Sequence, residues 1–205
     1  MRTDGVQTEV FLVRHGETDW NREERIQGHR DVPLNSRGIW QAEQLASSFA
    51  AIAIDQIYSS DLKRALATAE PIARMQGMGV QPDSRLRERD YGRYAGSTAA
   101  EMAELRRMGA LAGVEDWDAM RKRVGHFIQQ MAKDHLGERL LFVTHGGAIG
   151  AALHYLIGSP EEIRERRLQN ASVSLLFFNG SDWRIGYWNR LDHLVGSSDF
   201  SGGWE

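Results

Sequence analysis

The chain predicts an α/β sandwich built on a sheet that is buried on both faces. Two short, wholly apolar runs, Val10–Val13 and Leu140–Val143, each stop at a polar, glycine-containing segment, as buried strands of a parallel sheet do. Between and after them, stretches with helical periodicity alternate with further strand-like runs, the pattern of an open sheet flanked by helices. A length of 205 residues suits one domain and is enough to bury a core around such a sheet.

Val6 to Val13 reads as the first strand, ending before Gly16. Ser36 is placed as the N-cap of a helix that turns Trp40, Ala42, Leu45 and Phe49 toward the core. Ile54 to Tyr58 is a second strand, and Ser59-Ser60-Asp61 follows it. A helix is expected from Leu62 to Met75, with Pro71 a point of kinking or breakage and Gln76-Gly77-Met78-Gly79 the turn beyond it. Arg85 to Gly96, dense in charge and aromatic residues, reads as a loop. Helical periodicity returns over Thr98–Met108 and Trp117–Met131. Leu140 to Val143 is a strand that runs through Thr144-His145-Gly146-Gly147 into another helix. Ser172–Phe178 and Trp183–Trp188 form a closing antiparallel pair about Asn179-Gly180. The domain is expected to span 1–195, with a cap over about 96–116, and the Ser/Gly-rich tail over 196–205 to be mobile.

Composition narrows the function. A formal net charge of −3 gives no reason to expect nucleic acid or an anionic membrane as partner, so any anion site must come from local Arg and His. With no cysteine there is no disulfide, thiolate metal site or cysteine nucleophile. The opening Arg2-Thr3-Asp4 is polar, and the apolar run from Gly147 to Ile157 is interrupted by His154 and too short to span a bilayer. A cytoplasmic location is expected, which leaves the Asn-x-Ser matches at Asn170 and Asn179 without meaning.

Two strands end in histidine and glycine, as Arg14-His15-Gly16 and Thr144-His145-Gly146-Gly147. Ligands of open α/β sheets bind beyond the carboxyl ends of strands, where both histidines fall. The helix after Gly147 would aim backbone N–H groups at an anion. Arg64 lies in a first helical turn, a poor place for a cation unless a bound anion offsets it. Phosphoryl transfer fits such a set, because positioning and charge stabilisation supply most of its catalysis. Arginine forks at Arg14 and Arg64 can hold phosphate oxygens, a neutral imidazole can attack phosphorus, and Glu88 can protonate the leaving alkoxide. Beside a bound phosphate, like-charge repulsion should raise the pKa of that carboxyl. Taken singly, Arg64 reads as a solvated helix residue and Glu88 as a loop salt-bridge partner; only their combination argues for a site. His29, His126, His135, His154 and His193 read as structural or surface residues, and Trp117, Phe127 and Ile128 as core.

Five ordered blocks then resemble one family. They are Leu12-Val13-Arg14-His15-Gly16-Glu17-Thr18-Asp19-Trp20-Asn21; Gln27-Gly28 with Asp31-Val32-Pro33-Leu34, Gly38 and Gln41-Ala42; Tyr58-Ser59-Ser60-Asp61-Leu62-Lys63-Arg64-Ala65; Leu86-Arg87-Glu88 with Tyr91-Gly92 and Gly96; and Thr144-His145-Gly146-Gly147. From about Val10 to about Leu194 the sequence is similar to the histidine phosphatase superfamily, in the branch that includes the cofactor-dependent phosphoglycerate mutases. The resemblance implies a three-layer α/β/α sandwich with a mostly parallel central sheet, phosphoglycerate mutase-like, and a short helical cap. It implies His15 as a transiently phosphorylated nucleophile, with Arg14, Arg64 and His145 around the phosphate and Glu88 as the acid that later activates water. It carries Asn21 and Gln27 as ligand contacts, and Thr18, Gly28, Tyr91 and Gly146 as further ones. No metal and no cofactor is implied; the partner is a small phosphorylated metabolite, and a homodimer is compatible with the family.

The departures bear on substrate. Gly96 to Gly113 is short, Gly113-Val114-Glu115-Asp116 only partly resembles the family's Gly-Gly-Glu-Ser stretch, and the mutases' basic insertion is replaced at most by Arg106-Arg107. A mutase must keep water from phosphohistidine, so a trimmed cap favours a phosphatase of small phosphomonoesters over a mutase. A non-catalytic binder of phosphorylated partners is the third reading, and the presence of every catalytic residue type speaks against it. His29, Arg30, Arg93, Tyr94 and Arg107 are candidates for the pocket wall.

Overall fold

The computed structural model describes residues 6–158 and 168–194; the tail expected to be mobile lies outside the described residues. Among the described residues six strands form one sheet: β1 (Thr8–Arg14), β2 (Gln56–Ser59), β3 (Gln81–Pro82), β4 (Arg139–Thr144), β5 (Val173–Phe178) and β6 (Trp183–Arg190), in the spatial order β3-β2-β4-β1-β5-β6. The first four strands of that order run parallel, and β5 pairs antiparallel with both β1 and β6. The described helices are α1 (Asp19–Arg22), α2 (Ser36–Phe49), α3 (Lys63–Gln76), α4 (Ala99–Arg107), α5 (Trp117–Asp134) and α6 (Gly146–Ile157).

The apolar runs are buried on both faces because alternate side chains serve two cores. On one face Val10, Leu12, Leu140, Phe142, Leu176 and Phe178 pack with α5 and α6. On the other, Phe11, Val13, Ile57, Leu141, Val143 and Leu175 pack with α2 and α3. The fold is therefore α/β/α, with a mostly parallel sheet.

Local chemistry accounts for the differences from expectation. Val6 is exposed and the first strand starts at Thr8. The N-cap of α2 is Asn35, whose side chain accepts the Gly38 N–H, and Ser36 is the first helical residue. Pro71 lies inside α3 without ending it, since Ala65, Ala69, Ile72 and Ala73 bury one face of that helix throughout. The Arg85–Gly96 loop carries two 3-10 turns, Ser84–Leu86 and Gly92–Tyr94. Within the segment expected to be the cap, α4 carries a Thr98–Glu101 capping box.

Register sets up the site. Arg14 lies opposite Thr144 on neighbouring parallel strands, and Ser59 opposite Val143. The residues that follow, His15, His145 and Ser60, leave three adjacent strands side by side at one edge of the sheet.

Candidate active site

A cavity of about 410 Å³ opens at that edge, with Arg14, His15, Asn21, Gln27, Gly28, Arg64, Glu88, Tyr91, Gly146 and Gly147 in its lining. Nine of the eleven residues nominated from sequence thus meet at one place, once Arg14, His15, Arg64 and Glu88 are counted with the ligand contacts. Thr18 and His145 stand outside the lining.

His15 is held by its backbone, its N–H donating to the Thr144 carbonyl at 2.9 Å. Its Nδ1 donates to the Gly16 carbonyl at 2.6 Å, which fixes the ring proton on Nδ1 and leaves a lone pair on Nε2. Burial, reinforced by the charges of Arg64 and Arg14, holds the His15 pKa well below the ordinary value, so the ring is neutral at physiological pH. The loop behind it is tied in from three directions. Gly16 N–H donates to Thr68 Oγ1 at 3.0 Å; Asn170 Nδ2 donates to the carbonyls of His15 and Gly16 at 3.1 and 3.2 Å. Gly38 lies so close to Glu17 that a Cβ there would stand 2.8 Å from the Glu17 nitrogen.

Arg64 is fully buried at the cavity floor, and three of its five N–H donors bond protein: Nη1 to the Arg30 carbonyl (2.7 Å), Nη2 to the Gly28 carbonyl (2.8 Å) and Nε to His145 Nδ1 (3.2 Å). Two donors remain for a ligand. Burial pulls its pKa down to about 10 against the opposing charges of Glu88 and Asp31, so the guanidinium stays charged at neutral pH. Arg14, whose Nη1 donates to the Leu168 carbonyl, supplies the second cation.

His145 is fully buried beneath this floor. Its Nδ1 accepts from Arg64, so its proton is on Nε2, which donates to Ser60 Oγ at 2.8 Å. Its ring stands edge-on to His15 with centroids 5.1 Å apart. Burial, then the charges of Arg64, His15 and Arg14, lower its pKa well below the ordinary value. The geometry puts His145 against Arg64 and His15 rather than in the cavity wall.

Glu88 sits at the start of α6. Its Oε2 accepts the Gly147 N–H and its Oε1 the Arg89 N–H, both at 2.9 Å. Carboxylates are favoured at helix N-termini. The loop that carries Glu88 is anchored by Arg123 of α5, which donates to the carbonyls of Arg85, Arg87 and Glu88 and pairs with Glu115 at 2.9 Å.

The polar wall is directional. Asn21 Oδ1 accepts from the Thr18 backbone, the Thr18 hydroxyl and Asn170 Nδ2, which leaves its own Nδ2 donor at the cavity. Thr18 itself is buried and N-caps α1. Gln27 is 7% exposed and its Oε1 has no partner among the described residues; turning the amide over presents two N–H donors there. Tyr91 completes this side, its hydroxyl pKa raised by burial and by the charge of Glu88.

Several expected pocket residues serve otherwise. His29 Nε2 donates to the Glu88 carbonyl at 2.8 Å, Arg30 offers its carbonyl to Arg64, and Tyr94 hydrogen-bonds the Ala110 carbonyl. Arg93 lies with its guanidinium 5.0 Å from the Tyr94 ring, and Arg107 pairs with Glu104 on the surface. Trp117 is the reverse case: read as core, it is 38% exposed and lines the cavity, because Asp116 caps α5 there and puts the indole at the mouth. Sequence reasoning also passed over Ser60, Arg123 and Asn170, whose partners are distant in sequence. Among the described residues no cluster of three or more His, Asp or Glu has the arrangement of a metal site, and no helix is long and apolar enough to cross a membrane.

The fold and this floor of two cations, a neutral imidazole and a carboxylate define a phosphoryl-handling class. The chain belongs to the histidine phosphatase superfamily (branch 1), whose family model matches residues 10–191. It is 37% identical over 201 residues to phosphoglycerate mutase-like protein 4 of Arabidopsis thaliana, an alignment that covers 91% of this chain and 86% of the relative. Among solved structures it is similar to a phosphoserine phosphatase of Entamoeba histolytica (TM-score 0.81, 27% identity, 92% of this chain and 100% of the other). It is also similar to a mycobacterial glucosyl-3-phosphoglycerate phosphatase (TM-score 0.79, 29% identity, 88% and 98%).

Proposed function

We propose that the protein is a phosphatase of small phosphomonoesters that works through a phosphohistidine on His15. The observation that carries this reading is the neutral His15 ring, proton fixed on Nδ1, in one cavity with Arg14, Arg64 and the Glu88 carboxyl group. His15 Nε2 attacks phosphorus and the bond from phosphorus to the ester oxygen breaks. Glu88 serves as general acid and gives a proton to that oxygen, so the alcohol leaves neutral. Arg14 and the two remaining donors of Arg64 face the charge on the phosphoryl oxygens, and His15 becomes a cation beside the new phosphoryl group. Water then attacks phosphorus, Glu88 takes its proton, the P–N bond breaks, and phosphate departs with His15 neutral again. No metal ion or organic cofactor enters this sequence.

Hydrolysis rather than mutase chemistry is supported by the shortness of the expected cap segment, whose helix α4 has nine residues and reaches the cavity lining only at Ala99, and by the partial exposure of the lining residue Trp117. Two structural relatives are named as phosphatases. The mutase reading is favoured by the mutase-like name of the Arabidopsis relative. The test is phosphate release from a panel of phosphomonoesters in the presence of a chelator, for wild type and Glu88→Gln. Chelator-insensitive release that falls most for poor leaving groups in Glu88→Gln is expected. Isomerisation of phosphoglycerate stimulated by bisphosphoglycerate, without net phosphate release, would overturn hydrolysis in favour of the mutase.

A further inference from the structure

The cavity lining is polar in part and apolar in part. Besides the phosphate-facing groups it includes Ile26, Tyr91, Trp117, Leu168 and Trp188. Trp117 is the most exposed of these, and its position is fixed by the Asp116 side chain, which accepts from the backbone N–H of Asp118 and Ala119 at 2.9 and 3.1 Å. A large aromatic side chain left partly in water at a cavity mouth forgoes burial that a ligand can restore. The phosphate-facing groups are of opposite polarity, so the two sets of side chains would contact different parts of one molecule.

Space is also kept open beside α6. Gly146, Gly147 and Gly150 all line the cavity, and a Cβ at Gly150 would meet nothing within 4 Å. Gly150 lies three residues beyond the contact with Glu88, about 4.5 Å further along the helix axis, so the opening begins where a leaving group emerges from the acid. The Ile26 part of the lining is stiff, because the Ile26 N–H donates to the Ser97 carbonyl and the Gly96 N–H to the Ile26 carbonyl, both at 2.8 Å. The neighbouring lining cation, Arg25, is bound to Glu23 at 2.9 Å and to the Gly96 carbonyl at 2.8 Å, and Glu24 lines the cavity beside it in sequence. A second anionic group on a substrate meets there the Glu24 carboxylate and a cation that is already paired. A flat, uncharged ring meets indole and phenol faces.

We propose that this site selects phosphomonoesters whose alcohol carries a planar aromatic ring, such as a nucleoside, over compact carboxylated or bare sugar phosphates, with Trp117 as the specificity-determining residue. The inference rests on the phosphatase reading for turnover but not for binding. A volume near 410 Å³ lies within the roughly 300–1,000 Å³ usual for pockets that enclose ring-bearing ligands.

Adenosine 5′-monophosphate and ribose 5-phosphate share phosphate and sugar and differ by the ring. Their dissociation constants on His15→Ala, by calorimetry, and their kcat/KM on wild type give two independent ratios, with 3-phosphoglycerate as the carboxylated comparison. The expected result is a preference of at least tenfold for adenosine 5′-monophosphate over both others. Trp117→Ala should reduce that preference at least tenfold, as base stacking on aromatic side chains leads one to expect, and Trp117→Phe should retain most of it. Gly150→Leu, which fills the open space, should reduce it as well. A binding preference below tenfold, or one that Trp117→Ala leaves in place, overturns the inference even if phosphate is released. If no phosphate is released from any compound but His15→Ala binds the nucleotide with the stated preference, the hydrolytic reading fails and the ring-selective site stands.

Discussion

Replacing Gly147 with alanine should separate catalysis from stability. A Cβ at this position overlaps Glu88 Oε1 and stands 3.0 Å from its Cδ, while nothing else is that close. Restoring an ordinary separation moves the carboxyl group by roughly 1 Å, and the bond from the Gly147 N–H is lost or lengthened. Because the displaced atom ends a flexible side chain, the fold has little to absorb. Alanine gains up to about 1 kcal/mol of helix propensity over glycine, against a loss of about 0.3–1 kcal/mol from the carboxylate at the helix terminus. The two nearly cancel, so Tm should move by no more than about 4 °C for a domain of this size. Catalysis should not escape. A misplacement near 1 Å costs on the order of 10²-fold, and general acids contribute about 10²–10⁴-fold. The assay compares kcat on an alkyl phosphate, which needs its leaving group protonated, with kcat on nitrophenyl phosphate, which needs little. Gly147→Ala should lose about 10²-fold on the first and less than about tenfold on the second. Equal losses on both substrates would refute the placement of Glu88 as the acid aimed by α6.

Two further outcomes follow from burial and close packing. His15 and His145 are neutral in the fold, whereas an unfolded chain protonates them below about pH 6.5, so the unfolded state binds more protons and stability falls as pH drops through that value. From pH 6.5 to 5.5 the pair should remove up to about 2 kcal/mol, with His193, also lowered by burial, adding in the same direction. Urea unfolding at the two pH values measures this, and equal or greater stability at pH 5.5 would contradict it. Gly38→Ala places a Cβ against the Glu17 backbone, which cannot swing aside; about 1–3 kcal/mol of overpacking, partly offset by helix propensity, should lower Tm by about 2–8 °C.

The strands and the edge that bears the chemistry were legible because apolar runs and glycine stops are local signals. Val10–Val13 and Leu140–Val143 announced two neighbouring strands, and the residues beyond them are the ones that meet. What stayed hidden depends on partners far along the chain. His145 lies beneath the cavity only because Arg64 and Ser60 take both of its nitrogens. In sequence Asn170 belongs only to an Asn-x-Ser match, and the structure brings it to the His15 carbonyl; Arg123 is one residue of a helical stretch, and α5 places it against the Glu88 carbonyl. Trp117 reads as core on residue type, whereas its place at the start of α5 leaves it partly exposed. Elements as short as α1 and β3, four and two residues long, carry too little pattern to be read; β3 is an edge strand that includes Pro82.

The central claim is that phosphate passes through His15. Rapid quenching of the enzyme during turnover of a phosphorus-labelled phosphomonoester, followed by peptide mapping, tests it directly. The account predicts a label that is stable to base, labile to acid and located on the peptide containing His15, with neither label nor turnover in His15→Ala. Undiminished phosphate release by His15→Ala, or a label at any other residue, would contradict it.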